Sequence, residues 1–105
     1  MSLAIVAVPP AALDATINDC IAKRMRGAII VTDVDTVSPG GTSVDVAALV
    51  ARSRRHGLRI IGPSSMGAAA LRSSDSMQAA LVNVALPTGN VAISLQSGSL
   101  GGAVL

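Results

Sequence analysis

The sequence predicts an α/β fold built on a parallel β-sheet. A continuous apolar run occurs at 3–8 and mostly apolar runs occur at 28–32 and 58–61, and helical patterns lie between them. Strands that are apolar at every position are typical of parallel sheets, because such strands are covered on both faces. The strand–helix–strand–helix–strand order joins parallel neighbours through right-handed crossovers. We therefore expect a three-layer domain with helices packed on a parallel sheet.

The first strand ends at Pro9-Pro10, where a helix is predicted to begin because proline is tolerated in a first helical turn. Larger apolar side chains then recur every four residues, which marks one face of a helix. They are Leu13, Ile17, Ile21 and Met25. Cations gather near the predicted carboxyl end, where they complement the helix dipole, and Gly27 is the predicted stop.

The second strand is followed by an Asp-, Pro- and Gly-rich loop over 33–43 and a helix over about 44–56. The basic residues of this helix lie in its last turn, and Gly57 is its predicted stop. The third strand then ends at Gly62-Pro63.

Residues 64–90 show little periodicity and predict a connection between domains. Residues 91–95 predict a fourth strand, followed by a helix that starts near Ser97. The predicted organisation is a first domain over 1–63, the connection over 64–90, and the start of a second domain over 91–105. Because Met1-Ser2 leads directly into a strand, we expect a truncated start.

The composition limits the core and several classes of function. Half of the residues are hydrophobic, yet the chain has no Phe, Tyr or Trp, so the core must be aliphatic. Burying each larger aliphatic side chain contributes about 1.5–3 kcal/mol, which makes such a core feasible but thin. The net charge of +2 comes with one cationic cluster and no stacking aromatic side chain, so we expect no nucleic-acid partner. That cluster comprises Arg52, Arg54, Arg55 and His56.

The single cysteine, Cys20, rules out an internal disulfide and a thiolate metal site, and it suits a reducing cytoplasm. Its position beside the apolar helix face predicts buried packing. The longest apolar stretch, 3–13, contains two prolines and is far shorter than the roughly 20 residues of a membrane-spanning helix. We therefore expect no membrane partner and no metal.

The strand ends are the candidate ligand site, because open parallel sheets bind ligands beyond the carboxyl ends of their strands. Small residues there let a ligand approach the backbone, and hydroxyls offer hydrogen bonds. The alternative is that strand ends need turn-forming residues in any protein. The four ends are Val8-Pro9-Pro10, Val31-Thr32-Asp33, Gly62-Pro63-Ser64-Ser65 and Gln96-Ser97-Gly98-Ser99.

Other candidates have simpler explanations. Ser97-Gly98-Ser99 at a helix start could bind an anion through free N–H groups, but a serine cap is the commoner use. Asp33 and Asp35 could form the carboxylate pair of a phosphoryl-accepting receiver, yet no lysine follows at a later strand end. His56, one residue before Gly57, fits a solvated position at a helix end.

Three motifs in order carry a resemblance to a known family. They are Ala-Ile-Val-Ala-Val-Pro-Pro at 4–10, Ile-Ile-Gly-Pro-Ser-Ser-Met-Gly at 60–67, and Gly-Asn-Val-Ala-Ile-Ser-Leu-Gln-Ser-Gly-Ser-Leu-Gly at 89–101. Together they resemble the NDP-forming acyl-CoA synthetases, which include the succinyl-CoA synthetase α-subunit and the ADP-forming acetyl-CoA synthetases. The resemblance implies a Rossmann-like, CoA-binding first domain. It also implies that the chain continues into a flavodoxin-like, succinyl-CoA-ligase-like second domain.

The family joins a carboxylic acid to CoA with NTP cleavage, through an acyl phosphate and a phosphohistidine. The resemblance implies coenzyme A as cofactor, acyl-CoA as a further ligand, and other synthetase domains or a partner subunit as protein partners. A sheet edge left open where the family has its first strand predicts self-association. The implied CoA-contacting residues are Val8, Pro9, Pro10, Val31, Thr32, Asp33, Ser64 and Ser65, and the implied phosphate-contacting residues are Ser97, Gly98 and Ser99.

The sequence departs from the family pattern at Ser64-Ser65, where the family has Asn-Cys. The family's phosphorylated histidine, Gly-rich phosphate loop and nucleotide-grasping domain have no counterpart in these 105 residues. We therefore expect a CoA-binding fragment that is inactive by itself. The alternative is a non-catalytic regulatory or interaction module on the same scaffold.

Overall fold

A computed structural model describes residues 2–34, 43–72, 75–83 and 85–104 of the chain. The chain divides into two compact units, residues 1–65 and residues 66–105. The boundary lies two residues beyond the predicted end of the first domain. Among the described residues, no helix is long and apolar enough to cross a membrane.

The first unit contains a three-stranded parallel sheet. Its strands are β1 (Leu3–Val6), β2 (Gly27–Ile30) and β3 (Arg59–Ile61), in the spatial order β1-β2-β3. Ile5 lies opposite Ile29, and Ile29 lies opposite Ile61. Both pairings are parallel, so the predicted α/β class with a parallel, Rossmann-like sheet is confirmed.

Two helices connect these strands, α1 (Pro10–Ala22) and α2 (Val46–Arg55). Proline stands at the first position of α1, and the Asp45 side chain accepts a hydrogen bond from the Ala48 N–H at the start of α2, 2.9 Å long. The helices also contact each other, since Arg52 Nη2 lies 2.7 Å from Asp14 Oδ1. Prolines and capping side chains at these positions fix where each helix begins.

One aliphatic cluster holds the helices against the sheet. Leu13 and Ile17 of α1 are fully buried, as the four-residue spacing predicts, and Ile21 and Met25 pack against the cluster while partly exposed. Cys20 is buried too, as predicted. The cluster consists of Val6, Leu13, Ile17, Cys20, Ala28, Ile30, Leu49 and Leu58.

The end of α1 differs from the prediction. The helix ends at Ala22, and Arg24 adopts a positive φ of 54°, whereas Gly27 is the buried first residue of β2. The Met25 N–H reaches back to the Cys20 carbonyl over 2.9 Å, which closes the helix end. Gly27 instead packs closely on Leu3, because an added Cβ would lie 2.9 Å from Leu3 Cδ1. Gly57, with φ of 77°, follows α2 as predicted.

The sheet's other face bears Ile5, Ile29 and Ile61 side by side. Ile5 is 62% exposed and Ile61 44% exposed, while Ile29 between them is buried. The helices pack on the opposite face, where Ala28 and Ile30 belong to the core cluster. The described elements of this unit therefore supply two of the three predicted layers.

Residues 64–90, which show little periodicity in the sequence, are not irregular throughout. They contain an antiparallel hairpin of β4 (Gly67–Leu71) and β5 (Ser76–Ala80). Alanine-rich strands have weak β propensity, so the sequence pattern did not reveal them. Gly67, with φ of 119°, lies so close to Ala79 and Ala80 that a side chain would collide with their backbone.

Residues 91–95 form no strand, contrary to the prediction, and their apolar side chains are exposed. A β-strand requires a hydrogen-bonded neighbour, and within the described ranges this segment has no strand paired with it. The predicted helix does follow, as α3 (Gly98–Val104).

Candidate ligand site at the strand ends

The carboxyl ends of β1, β2 and β3 lie at the same edge of the sheet, because all three strands are parallel. We call the segments that follow these strands, residues 7–9, 31–34 and 62–65, the three tips. Together they contain most of the predicted CoA-contacting residues, and Pro10 begins α1 beside them.

The first two tips are joined through a threonine hydroxyl. Thr32 Oγ1 donates a hydrogen bond to the Val8 carbonyl over 2.6 Å and accepts one from the Val8 N–H over 3.2 Å. One residue position earlier, the Val31 N–H donates to the Val6 carbonyl over 2.9 Å. Thr32 thereby extends the β1–β2 pairing past the last main-chain bond of the ladder.

The third tip folds back onto the second. The Ser64 N–H donates to the Thr32 carbonyl over 2.9 Å, and the Ser65 N–H donates to the Ile30 carbonyl over 3.1 Å. The chain reverses here through Gly62, with φ of 101°, and Ser64, with φ of 55°. The Gly62–Pro63 peptide bond is cis. The sequence marked this segment as a turn but did not show that it returns to Thr32.

The exposed polar groups of the edge are a carboxylate and a hydroxyl in contact. Ser64 Oγ donates to Asp33 Oδ1 over 3.1 Å, and both residues are exposed. Pro9 is exposed, whereas Val8, Val31, Thr32 and Ser65 are half-buried. The edge thus offers an apolar corner next to a hydrogen-bonding pair.

No tip contains a lysine or arginine. The cations of the first unit lie mainly at the amino edge of the sheet, where α1 and α2 end and where β2 and β3 begin. Arg26 and Arg59 are neighbours there, because the Arg59 N–H donates to the Arg26 carbonyl over 3.1 Å. The tips therefore offer no cationic side chain to an anionic group.

The fourth predicted strand end belongs to the second unit. Ser97 Oγ accepts a hydrogen bond from the Leu100 N–H over 3.3 Å and lies 3.3 Å from Ser99 Oγ. This is the contact of a helix cap, the simpler of the two alternatives considered for this serine. Gly98 is required by packing, because an added Cβ would meet the Met66 side chain.

The remaining candidates stay outside the site. His56 is exposed at the carboxyl end of α2, at the edge of the sheet opposite the tips. Burial raises the pKa of the Cys20 thiol and the neighbouring Asp19 carboxylate raises it further, while Lys23 opposes the rise. Asp35, the second member of the predicted carboxylate pair, lies outside the described residues. Within the described ranges, no group of three His, Cys, Asp or Glu side chains could hold a metal ion.

The fold and the joined strand tips define a Rossmann-like α/β domain fragment with a candidate ligand site at the carboxyl edge of its sheet. The whole chain is 30% identical to part of the α-subunit of the ADP-forming acetate–CoA ligase II of Pyrococcus furiosus. It also superposes on the crystal structure of PH0766 from Pyrococcus horikoshii OT3 with a TM-score of 0.77 and 31% identity, over 99% of this chain. The chain is thus a homologue of that ligase subunit, and its resemblance to the NDP-forming acyl-CoA synthetases is confirmed.

The match covers a limited part of each relative. The chain spans 22% of the length of the P. furiosus subunit and 23% of PH0766. No family model matches the chain.

Proposed function

We propose that this chain is the coenzyme A-binding part of an NDP-forming acyl-CoA synthetase. The parent reaction would join a carboxylic acid to CoA with cleavage of an NTP, through an acyl phosphate and a phosphohistidine. The observation that carries the proposal is the joining of three strand tips into one edge in a homologue of a CoA ligase subunit. We also propose that the protein works in the cytoplasm.

The chemistry of the tips fits the uncharged portions of CoA. The half-buried Val8 and exposed Pro9 offer apolar surface to a pantetheine chain, and the Asp33 carboxylate can accept hydrogen bonds from an amide or a hydroxyl. The phosphates of CoA meet no cationic side chain in these tips. When bound, CoA would supply the thiol that becomes the thioester, and the tips would hold and orient it.

The proposed roles differ in their support. For the CoA site we propose the tip residues together with Pro10, either in contact with CoA or holding the contacting groups in place; Val8, Thr32, Asp33 and Ser64 are those linked by hydrogen bonds. The phosphate-contacting role of Ser97, Gly98 and Ser99 rests on the resemblance alone and stays a prediction. No residue of the tips can serve as a phosphohistidine, since the single histidine, His56, lies at the other edge. We therefore expect the chain by itself to form no acyl-CoA.

Calorimetric titration of this chain with CoA tests the proposal. We expect weak, saturable binding that changes little with ionic strength, because no side-chain ion pair with the CoA phosphates forms at the tips. Asp33→Ala should raise the dissociation constant about tenfold, as expected for a lost hydrogen bond to a charged acceptor. The matched control is Asp19→Ala, which removes an exposed carboxylate on α1 away from the tips.

The outcomes separate clearly. Binding that weakens in Asp33→Ala and persists in Asp19→Ala supports the proposal. The absence of both a heat of binding and thermal stabilisation with millimolar CoA would contradict it. An equal loss of CoA affinity in both variants would show that CoA binds elsewhere than at the strand tips.

A further inference from the structure

The Thr32 hydroxyl has no hydrogen left to donate to a ligand. A threonine hydroxyl carries one hydrogen and two acceptor lone pairs. Its hydrogen is used at 2.6 Å on the Val8 carbonyl, and one acceptor position is used by the Val8 N–H at 3.2 Å. Thr32 is also half-buried, so little of its surface remains for a ligand.

Thr32 is at the same time the junction of all three tips. Its side chain binds the main chain of Val8 after β1, and its own carbonyl accepts the Ser64 N–H after β3. Val8 is the last residue before two prolines, which have no N–H to donate. The Val8 N–H is therefore the last main-chain donor in the tip before α1, and Thr32 holds it in place.

We propose that Thr32 is a positioning residue of the CoA site, which fixes the Val8-Pro9-Pro10 corner at a set distance from the Asp33–Ser64 pair. This inference rests on the proposed function, and it gives Thr32 a role different from the direct CoA contact that the family resemblance implies. The ligand is then held by the groups on either side of Thr32. Losing the hydroxyl would let the proline corner move relative to the carboxylate and lower affinity without removing a ligand contact.

Two substitutions separate the hydroxyl from the rest of the side chain. Thr32→Val keeps the shape and removes both hydrogen bonds to Val8, whereas Thr32→Ser keeps the hydroxyl. We expect the CoA dissociation constant to rise about tenfold in Thr32→Val and to stay within about twofold of the wild type in Thr32→Ser. The matched control is Thr16→Val, which removes a hydroxyl bonded to the Ala12 carbonyl on α1, 2.9 Å away.

Hydrogen exchange at the Val8 amide gives a second readout of the same contact. In the wild-type chain this amide should exchange slowly and exchange more slowly still with CoA bound. In Thr32→Val it should exchange faster, while the amide of Ile30 in the central strand keeps its protection. The wild-type measurement needs no substitution, so it stands even if Thr32→Val folds poorly.

The results distinguish the positioning role of Thr32 from CoA binding itself. Loss of affinity in Thr32→Val, retained affinity in Thr32→Ser and a protected Val8 amide together support the positioning role. Unchanged affinity in Thr32→Val, equal loss in the valine and serine variants, or fast exchange of the wild-type Val8 amide overturns the positioning role and leaves CoA binding intact. A wild-type chain that binds no CoA overturns the proposed function, and the positioning role falls with it.

Discussion

Single residues at the tips can have two roles, because they form the turns and also offer side-chain groups to a ligand. Ser64 shows both, because its N–H closes the turn on Thr32 while its hydroxyl faces Asp33. Gly62 serves only to form the turn, because its φ of 101° lies in a region that favours glycine. Small residues at these positions were expected from either a turn or a ligand site, and the contacts show that turn formation accounts for Gly62.

Gly62→Ala tests the close approach of the third tip to β2. An added Cβ would collide with the Ile30 carbonyl and lie 3.3 Å from Ser65 Cβ, in addition to the strain of the positive φ. We expect a loss of about 3 kcal/mol in the free energy of unfolding, measured by urea titration. Gly57→Ala is the control, since Gly57 also has a positive φ but no atom within 4 Å of the added carbon. That variant should lose only about 1 kcal/mol. Equal losses would mean that the tip does not pack on β2.

The two ends of a helix or strand are set by different kinds of residue. The end of α2 has Gly57, the stop that the sequence predicted, whereas its start has a capping aspartate, Asp45, and the helix begins two residues later than the predicted start at about 44. The end of α1 was predicted wrongly, because Arg24 takes the left-handed conformation that a glycine would normally occupy. The hairpin of β4 and β5 was missed because its strands are mostly alanine and glycine. The sequence therefore located helix boundaries correctly only where a proline or a stop glycine stood, as at Pro10 and Gly57.

Asp45→Ala tests the contribution of the cap to α2. The Asp45 carboxylate accepts the Ala48 N–H at 2.9 Å, and its loss leaves that donor to water. We expect the free energy of unfolding to fall by about 1 kcal/mol in urea titrations. Asp45→Ser, which keeps a capping oxygen, should recover most of this loss. If the serine variant is as unstable as the alanine variant, the carboxylate acts through another contact.

At the scale of the whole molecule, the two faces of the three-stranded sheet are packed unequally. The face toward α1 and α2 contains the core cluster, and the other face exposes Ile5 and Ile61. The residues of the second unit include no fully buried side chain within its described ranges. The aliphatic core that the composition predicted as thin is thus confined to the first unit and to one side of its sheet.

A pair of isoleucine substitutions tests whether the two faces of the sheet are packed unequally. Ile30→Ala should lower the free energy of unfolding by about 2–5 kcal/mol, because Ile30 is fully buried and its removal leaves a cavity. Ile5→Ala, in the neighbouring strand but 62% exposed, should change it by about 0.5 kcal/mol or less. Circular dichroism during urea unfolding measures both. Similar losses in the two variants would show that the Ile5 face is also covered in solution.

Within the first unit, the sequence by itself determined the alternation of strands and helices and the buried face of α1. It also placed the turn-forming residues that follow each of the first three strands. These features depend on local periodicity and on proline, glycine and capping residues, which act over a few positions. Because parallel connections place every carboxyl end at one edge, the sharing of that edge by the first three strand ends could also be predicted.

Only the tertiary structure decided how the tips are joined. Thr32 contacts Val8 across 24 positions, and Ser64 contacts Asp33 across 31 positions. Such pairings depend on strand register, and a shift of one residue would turn the Thr32 side chain to the other face of the sheet. Local sequence patterns do not specify the register in which two strands pair. The assignment of Thr32 to positioning rather than ligand contact therefore required the folded chain.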